Sequence, residues 1–216
     1  MIDLRLNAIV GPERANGRPL AELTRLVVKG GATLIQLRDK LGSTRRMIEE
    51  ARAIKAVLAG TGVPLVINDR LDVALVAQAD GVHVGQDDMH AEDARALLGP
   101  QAIIGLSIKS VAQANAAPLD AIDYAGIGGV YATTSKDNPD PPIGVAGLRD
   151  VVAALRARRP DFPVCGIAGI DATNAAALIA AGADGVAVIS ALSMRDDPEA
   201  AAREMRSVVD RALVER

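Results

Sequence analysis

The stretch GGATLIQLRDK, residues 30–40, contains the two features on which the fold prediction depends. Its Gly-Gly pair is typical of a helix end, and the apolar run that follows is typical of a buried strand. Similar phrases occur at residues 78–85, QADGVHVG, and at residues 181–189, AGADGVAVI. The chain therefore repeats one unit, in which a helix ends at glycine and a strand begins directly afterwards.

Outside these phrases, strand-like runs alternate with amphipathic or alanine-rich stretches over the 216 residues. The runs are LRLNAIV (4–10), TLIQLR (33–38), PLVIND (64–69), GVHVGQ (81–86), AIIGLSI (102–108), YAGIGGVY (124–131), PVCGIAG (163–169) and GVAVIS (185–190). Periodicity predicts helices at 18–30, 43–59, 71–78, 91–98, 110–117, 146–159, 172–181 and 198–214. This alternation predicts an α/β fold, a (β/α)8 TIM barrel that forms a single domain over residues 1–216.

Composition narrows the class of partner. The net charge is −3 and aromatic residues make up 1% of the chain, so neither a basic surface nor stacking platforms for nucleic acid are expected. No run approaches the roughly 20 apolar residues of a membrane helix, and the N-terminus lacks the order of a signal peptide. We therefore expect a cytoplasmic protein with small-molecule partners, in which the single cysteine, Cys165, is a buried structural residue.

In a TIM barrel the chemistry lies at the carboxyl ends of the strands. Here polar residues or glycines end seven of the eight runs. These residues either form a functional site together or are simply the polar first residues of ordinary loops. These residues are Gln36, Arg38 and Lys40; Asn68 and Asp69; Gln86, Asp87 and Asp88; Ser107; Thr133, Thr134, Ser135 and Lys136; Gly166 and Gly169; and Ser190.

The charged members of this set predict an anion site with a metal ion. Arg38 and Lys40 lie at alternate positions, so they share one face, and Lys136 adds a third positive charge. Asp69 and Asp88 suit Mg²⁺, which takes oxygen ligands and completes its shell with water and substrate phosphates. Capping of the following helices is the alternative role for each aspartate.

A second anion site is predicted where runs seven and eight end. Barrels often bind phosphate there, because glycine lets backbone N–H groups approach the anion. Gly169, Ile189 and Ser190 fit this position, although glycine is also common in tight turns. Two anion sites and a divalent cation together indicate a reaction that joins a diphosphate to a monophosphate.

The ordered motifs QLRDK, IND, GVHVGQDD, GLS, Y-x-T-x-S-K, GIAGI and GADGVAVIS resemble those of the thiamine-phosphate synthase family, from about Gly30 to Ala191. The resemblance implies a transferase of thiamine biosynthesis that condenses 4-amino-2-methyl-5-hydroxymethylpyrimidine diphosphate with a thiazole phosphate, carboxylated or not. Thiamine phosphate and pyrophosphate would be the products. A pyrimidine carbocation would be the intermediate, and Mg²⁺ the cofactor.

The same resemblance implies a role for each site residue. The pyrimidine-diphosphate site would comprise Gln36, Arg38, Lys40, Asn68, Ser107 and Lys136, of which Arg38, Lys40, Ser107 and Lys136 would be catalytic. Asp69 and Asp88 would bind Mg²⁺. The thiazole-phosphate site would comprise Thr133, Thr134, Ser135, Gly169, Ile189 and Ser190.

The chain departs from the family pattern at three places. Ser135 stands where threonine is common, Ala168 stands where glycine is common, and Asn7-Ala8 replaces a first-strand tyrosine. A thiazole tautomerase-like protein and a non-catalytic phosphate-ligand sensor on the same barrel remain alternatives, as does a homo-oligomeric state.

Three further expectations concern single residues and one loop. We expect His83 to be a hydrogen-bonded core histidine and His90 to start a surface helix. Tyr131 either lines the pocket or closes its strand. The proline-rich segment 135–144, SKDNPDPPIG, could act as a lid.

Overall fold

Eight parallel strands form a closed barrel in a computed structural model of the chain, which describes residues 2–135 and 141–216. Each strand pairs with the next one along the chain, and β8 pairs with β1. The strands are β1 Leu6–Val10, β2 Leu34–Leu37, β3 Leu65–Asn68, β4 Gly81–Val84, β5 Ile103–Ile108, β6 Tyr124–Ile127, β7 Val164–Ile167 and β8 Gly185–Val188. The predicted TIM barrel is confirmed.

Helices follow the strands and surround the barrel. They are α1 Leu20–Lys29, α2 Thr44–Leu58, α3 Leu71–Ala77, α4 Ala91–Leu98, α5 Val111–Ala116, α6 Gly144–Arg158, α7 Ala175–Ala180, α8 Ser190–Ser193 and α9 Pro198–Glu215. All eight predicted helices are present, but the sequence did not predict α8 or the 3₁₀ turn Pro12–Arg14. Across the described residues, no helix combines the length and apolarity that spanning a membrane requires.

Alternate residues of each strand face opposite sides of the barrel wall, as the period of a strand requires. One buried cluster lies between the strands and the helices, and includes Leu6, Ala8 and Val10 from β1. A smaller cluster fills the barrel itself and includes Ile9, Leu34, Val66, Tyr124, Cys165 and Ala187. Cys165 is therefore a buried free cysteine, as expected from the sequence.

The repeated Asp-Gly phrase joins neighbouring strands at the amino end of the barrel. Asp80, just before β4, accepts a hydrogen bond from the Leu65 N–H at 2.8 Å. The following Gly81 has no room for a side chain, because a Cβ atom there would lie 1.8 Å from the Ile103 carbonyl oxygen. The aspartate thus holds the preceding strand, and the glycine lets the next strand approach.

A side-chain acceptor in the place of Asp80 recurs before each of the other even-numbered strands, with or without the glycine. Asp123 accepts from the Ile104 N–H at 2.8 Å, and Asp184 accepts from the Val164 N–H at 3.0 Å. Before β2 a threonine hydroxyl takes the same place and accepts from the Leu6 N–H at 3.0 Å. The barrel consequently contains four strand pairs, each stabilised by a hydrogen bond to one polar side chain at the amino end. The carboxyl end of the strands remains available for a site.

Candidate active site

Two adjoining pockets occupy the carboxyl end of the barrel. The first, here called the barrel pocket, has a volume of about 360 Å³ and opens between the strand ends. The second, the mouth pocket, has a volume of about 870 Å³ and lies over β2 to β5. Six residues line both pockets: Arg38, Asn68, Ser107, Thr134, Ser135 and Ile167. Two ligands could therefore bind side by side in contact with the same residues.

The structure brings together every described residue that the sequence assigned to the site. Lys40, Asp69 and Asp88 line the mouth pocket, and Arg38, Asn68, Ser107, Thr134 and Ser135 line both pockets. The remaining assigned residues line the barrel pocket: Gln36, Thr133, Gly169, Ile189 and Ser190. Lys136 and half of the proposed lid lie at 136–140, outside the described residues.

Gln36 presents an unused hydrogen-bond donor to the barrel pocket. It is 2% exposed, and its Nε2 atom has no hydrogen-bond partner among the described residues. On the adjacent strand, both amide atoms of the buried Asn7 also lack a partner there. Because unpaired buried polar groups are costly, the Gln36 amide is prepared for a polar group of a ligand.

The two cations that follow β2 differ in their surroundings. The Arg38 guanidinium makes no hydrogen bond or ion pair within the described part of the chain and faces both pockets. The Lys40 ammonium forms a close ion pair with Asp69, and the Lys40 N–H donates to Glu13 Oε1 at 3.0 Å. Arg38 is thus available for a planar, bidentate anion contact, whereas Lys40 neutralises an aspartate.

Asp69 and Asp88 form an acidic pair at the ends of β3 and β4. Burial raises the pKa of Asp88 above its ordinary value, and the neighbouring Asp69 carboxyl raises it further, whereas the Gly85 N–H, which donates at 2.7 Å, lowers it. Neither aspartate caps a helix, because α3 and α4 begin after Arg70 and His90 without a side-chain cap. The capping alternative is therefore wrong for both residues.

The acidic pair fits a hard divalent cation. Two adjacent carboxylates supply oxygen ligands, and the unfavourable proximity that raises the Asp88 pKa would be relieved by a cation between them. Within residues 2–135 and 141–216, no group of three or more histidine, cysteine or acidic side chains is positioned to hold a metal. Water and ligand oxygens would have to complete the coordination, which is the usual situation for Mg²⁺.

Backbone geometry shapes the far end of the barrel pocket. Ala168 and Gly169 are consecutive residues with positive φ, at 79° and 67°. A Cβ atom on Gly169 would lie 2.5 Å from the Ala132 carbonyl oxygen, so only glycine fits there. Next to this turn, Ser135 Oγ donates to Ser190 Oγ at 3.0 Å, where α8 begins. Ala168 therefore keeps the left-handed turn that glycine would adopt more easily.

The sequence did not identify several charged residues that the fold brings to the site. Glu13 and Arg14, from the 3₁₀ turn after β1, line the mouth pocket together with Lys109, and Arg195 lines the barrel pocket. Arg14 also donates to the carbonyl oxygen of Thr134. The only available signal was position, since Glu13 and Arg14 follow a strand end just as Arg38 and Lys40 do.

The single-residue expectations for the histidines are confirmed. His83 is 4% exposed, and its two ring nitrogens contact Tyr124 Oη and Ser107 Oγ, each at 2.9 Å. His90 is exposed and directly precedes α4. Tyr131, left open by the sequence, is half-buried against the core and is not part of either pocket lining.

Comparisons with known proteins agree on one family. A family model described as thiamine monophosphate synthase matches residues 6–192. A thiamine-phosphate synthase of Agrobacterium fabrum is 54% identical over 212 residues, which cover 98% of this chain and 96% of the relative. One of Moorella thermoacetica is 46% identical over 207 residues, or 96% of each chain. A solved thiamine phosphate pyrophosphorylase from Pyrococcus furiosus superposes with a TM-score of 0.85 at 35% identity and covers 98% of both chains.

Proposed function

The chain belongs to the thiamine monophosphate synthase family, and from this premise we propose that it joins a pyrimidine diphosphate to a thiazole phosphate, with release of pyrophosphate. The observation that carries the proposal is the pair of adjoining pockets with six shared lining residues. One pocket has charges suited to a diphosphate. The other ends in a glycine turn suited to a monophosphate.

The chemistry requires no protein nucleophile. When the C–O bond to the diphosphate breaks, its electron pair leaves with pyrophosphate, and the pyrimidine amino group stabilises the resulting carbocation. The lone pair of the thiazole nitrogen then forms the new C–N bond. The protein must neutralise the departing charge and hold the two rings in contact, which are effects of electrostatics and proximity.

The residues at the mouth divide this work. Arg38 faces the junction of the two pockets and would bind the diphosphate bidentately as its charge develops. Lys40 and Ser107 would contribute an ammonium and a hydroxyl to the same anion, and Lys136 is proposed as a further cation there. Gln36 would hold a polar group of the pyrimidine.

We further propose that Asp69 and Asp88 hold Mg²⁺. When bound, such an ion supplies positive charge to the phosphate oxygens of the leaving group. The proposal rests on the adjacency of the two carboxyl groups and on the raised pKa of Asp88.

An assay of thiamine phosphate and pyrophosphate formation from both substrates with Mg²⁺ tests the activity. A tautomerase-like protein would alter the carboxylated thiazole phosphate without releasing pyrophosphate, and a sensor would bind without turnover. The comparisons favour the synthase, since the relatives described above are named for that activity. Failure to form thiamine phosphate would refute the proposal.

The metal proposal has a matched control in the same loop. Asp69→Asn and Asp88→Asn should each raise the Mg²⁺ concentration that supports half-maximal activity by on the order of 10-fold or more, because each removes one of two charged ligands. Asp87→Asn removes an adjacent exposed carboxylate and should leave that concentration nearly unchanged. Equal effects of the three substitutions would refute the assignment of the ligands.

A further inference from the structure

Three side chains on neighbouring strands form a hydrogen-bonded chain from the barrel interior to the site. Tyr124 on β6 contacts His83 Nδ1 on β4 at 2.9 Å, and His83 Nε2 contacts Ser107 Oγ on β5 at 2.9 Å. Tyr124 is fully buried, whereas Ser107 lines both pockets. The chain therefore connects an inaccessible phenol to a hydroxyl that a ligand can reach.

Two glycines make room for this chain. Gly105 on β5 lies in register between His83 and Tyr124. A Cβ atom there would lie 2.2 Å from Tyr124 Cζ and 2.4 Å from His83 Nδ1. A Cβ atom on Gly126 would lie 3.0 Å from His83 Cε1. The two rings meet across the space that these glycines leave empty.

Burial of Tyr124 fixes the direction of the hydrogen bonds. In the described part of the chain, His83 Nδ1 is the only hydrogen-bond partner of the Tyr124 hydroxyl. A buried O–H without an acceptor is costly, so this O–H donates to Nδ1. The ring proton of a neutral His83 then resides on Nε2 and is donated to Ser107 Oγ. Ser107 keeps its own proton for another acceptor.

A diphosphate offers only acceptor oxygens, so a site that binds it needs donors. We propose that Tyr124 and His83 are positioning residues, which fix the Ser107 hydroxyl as a hydrogen-bond donor to the substrate diphosphate. This proposal rests on the proposed function, because it takes the anion at Ser107 to be that diphosphate. With the opposite tautomer of His83, Ser107 would donate its proton to the ring and offer the anion only lone pairs.

The tautomer can be measured directly, because the chain contains only two histidines. The ¹⁵N spectrum of histidine-labelled protein distinguishes the two ring protonation patterns, and His90→Gln assigns the signals. The wild type should show His83 with its proton on Nε2. Tyr124→Phe should give a mixture of both tautomers, since it removes the phenol that fixes Nδ1 as an acceptor. A proton on Nδ1 in the wild type would overturn the inference.

Kinetics then test whether the tautomer matters for Ser107. Ser107→Ala should lower kcat by on the order of 100-fold, as expected for loss of a preorganised donor. Tyr124→Phe should lower kcat by about 10-fold with little change in KM, because it misorients the same donor without removing it. Tyr131→Phe is the matched control, since it removes the other phenol of the chain and should retain wild-type turnover.

The double variant separates positioning from a general structural effect. If Tyr124 acts through Ser107, adding Tyr124→Phe to Ser107→Ala should cause no further loss of kcat. Multiplicative losses would overturn the inference. If Tyr124→Phe does not fold, as judged by circular dichroism, the same cycle is run with His83→Gln, whose amide can still donate to Ser107 and should retain more activity than His83→Ala.

Failure of the proposed function would appear differently. A wild-type protein that forms no thiamine phosphate would refute the activity, whatever the spectra show. A wild-type protein that is active, but whose double variant shows multiplicative losses, would refute only the positioning role.

Discussion

Replacing Cys165 by alanine should make the protein less stable at neutral pH but less sensitive to alkaline pH. The Cys165 thiol lies in the barrel interior and is fully buried. Burial, with a smaller contribution from the charge of Asp184, raises its pKa from 9.0 to about 12. The unfolded chain therefore releases this proton at a lower pH than the folded chain does.

The pH dependence of stability that the Cys165 thiol causes follows from the linkage between proton binding and folding. Below pH 9 the thiol is protonated in both states, so it contributes no pH dependence. Between pH 9 and 12 only the unfolded state loses the proton, and folding stability falls by about 1.4 kcal/mol per pH unit. By pH 10 the wild type should have lost about 1.4 kcal/mol through this group. Removing the thiol leaves a small cavity, which should cost about 1 kcal/mol at any pH.

Denaturant unfolding of both proteins at pH 7, 8, 9 and 10 measures the difference. The wild type should be more stable by about 1 kcal/mol at pH 7, and this advantage should vanish by pH 10. Tyr124 also titrates at alkaline pH, and its pKa is raised mainly by burial and to a smaller extent by Cys165. Because burial keeps this pKa high in both proteins, the contribution of Tyr124 up to pH 10 cancels in the comparison. A stability difference that stays constant from pH 7 to 10 would show that the folded protein does not raise the thiol pKa.

Three substitutions test the packing and backbone around the site by thermal or denaturant unfolding. Gly105→Ala should destabilise the fold by about 1–3 kcal/mol or more, because its methyl group overlaps the Tyr124 ring; an unchanged unfolding midpoint would contradict the described packing. Asp184→Ala should lower the free energy of unfolding by about 1–3 kcal/mol, since the Val164 N–H loses its acceptor and two arginines lose a partner. An unchanged free energy of unfolding would show that the hydrogen bond between Asp184 and Val164 does not stabilise the barrel. Ala168→Gly should be neutral or stabilising by under about 1 kcal/mol, because relief of the positive φ slightly exceeds the added chain entropy; clear destabilisation would contradict the left-handed geometry.

The sequence predicted the strands and helices because their signals are local. Periodicity and glycine at helix ends lie within ten or so residues, and the barrel topology follows from their alternation. The convergence of Gln36, Asn68 and Ser107 was predictable for the same reason, since parallel strands place their carboxyl ends together. The boundaries differed by only a few residues, as at α7, where Asp171 and Thr173 form a turn before the helix begins.

What the sequence could not predict depends on contacts between distant residues. Arg14 reaches the carbonyl oxygen of Thr134, 120 positions away, and His83 meets Tyr124 across a glycine on the strand between them. The short 3₁₀ turn that carries Arg14 has no periodicity to detect. Likewise, the sequence predicted Lys40 only as a cation that binds the diphosphate. Its ion pair with Asp69 depends on the fold and could not be predicted.

That ion pair leads to a last prediction, in which metal binding and turnover change in opposite directions. The Lys40 ammonium pairs with the carboxylate that we propose as a ligand of Mg²⁺, so the two cations would compete for Asp69. Lys40 is half-exposed, and solvent screening limits the strength of the pair to about 1 kcal/mol, or roughly a 5-fold change in affinity. Lys40→Met should therefore strengthen the binding of Mg²⁺ alone by about that factor, as measured by calorimetry without substrates.

Turnover of the same variant should fall, because the diphosphate would lose one of the cations proposed to bind it. Lys29→Met is a suitable control, since its ammonium pairs with Glu199 and lies outside both pocket linings. It should change neither quantity. If Lys40→Met weakens the binding of Mg²⁺ alone, Lys40 does not compete for the carboxylate. The hypothesis that Lys40 pairs with Asp69 in the free protein and with the diphosphate in the complex would then be wrong.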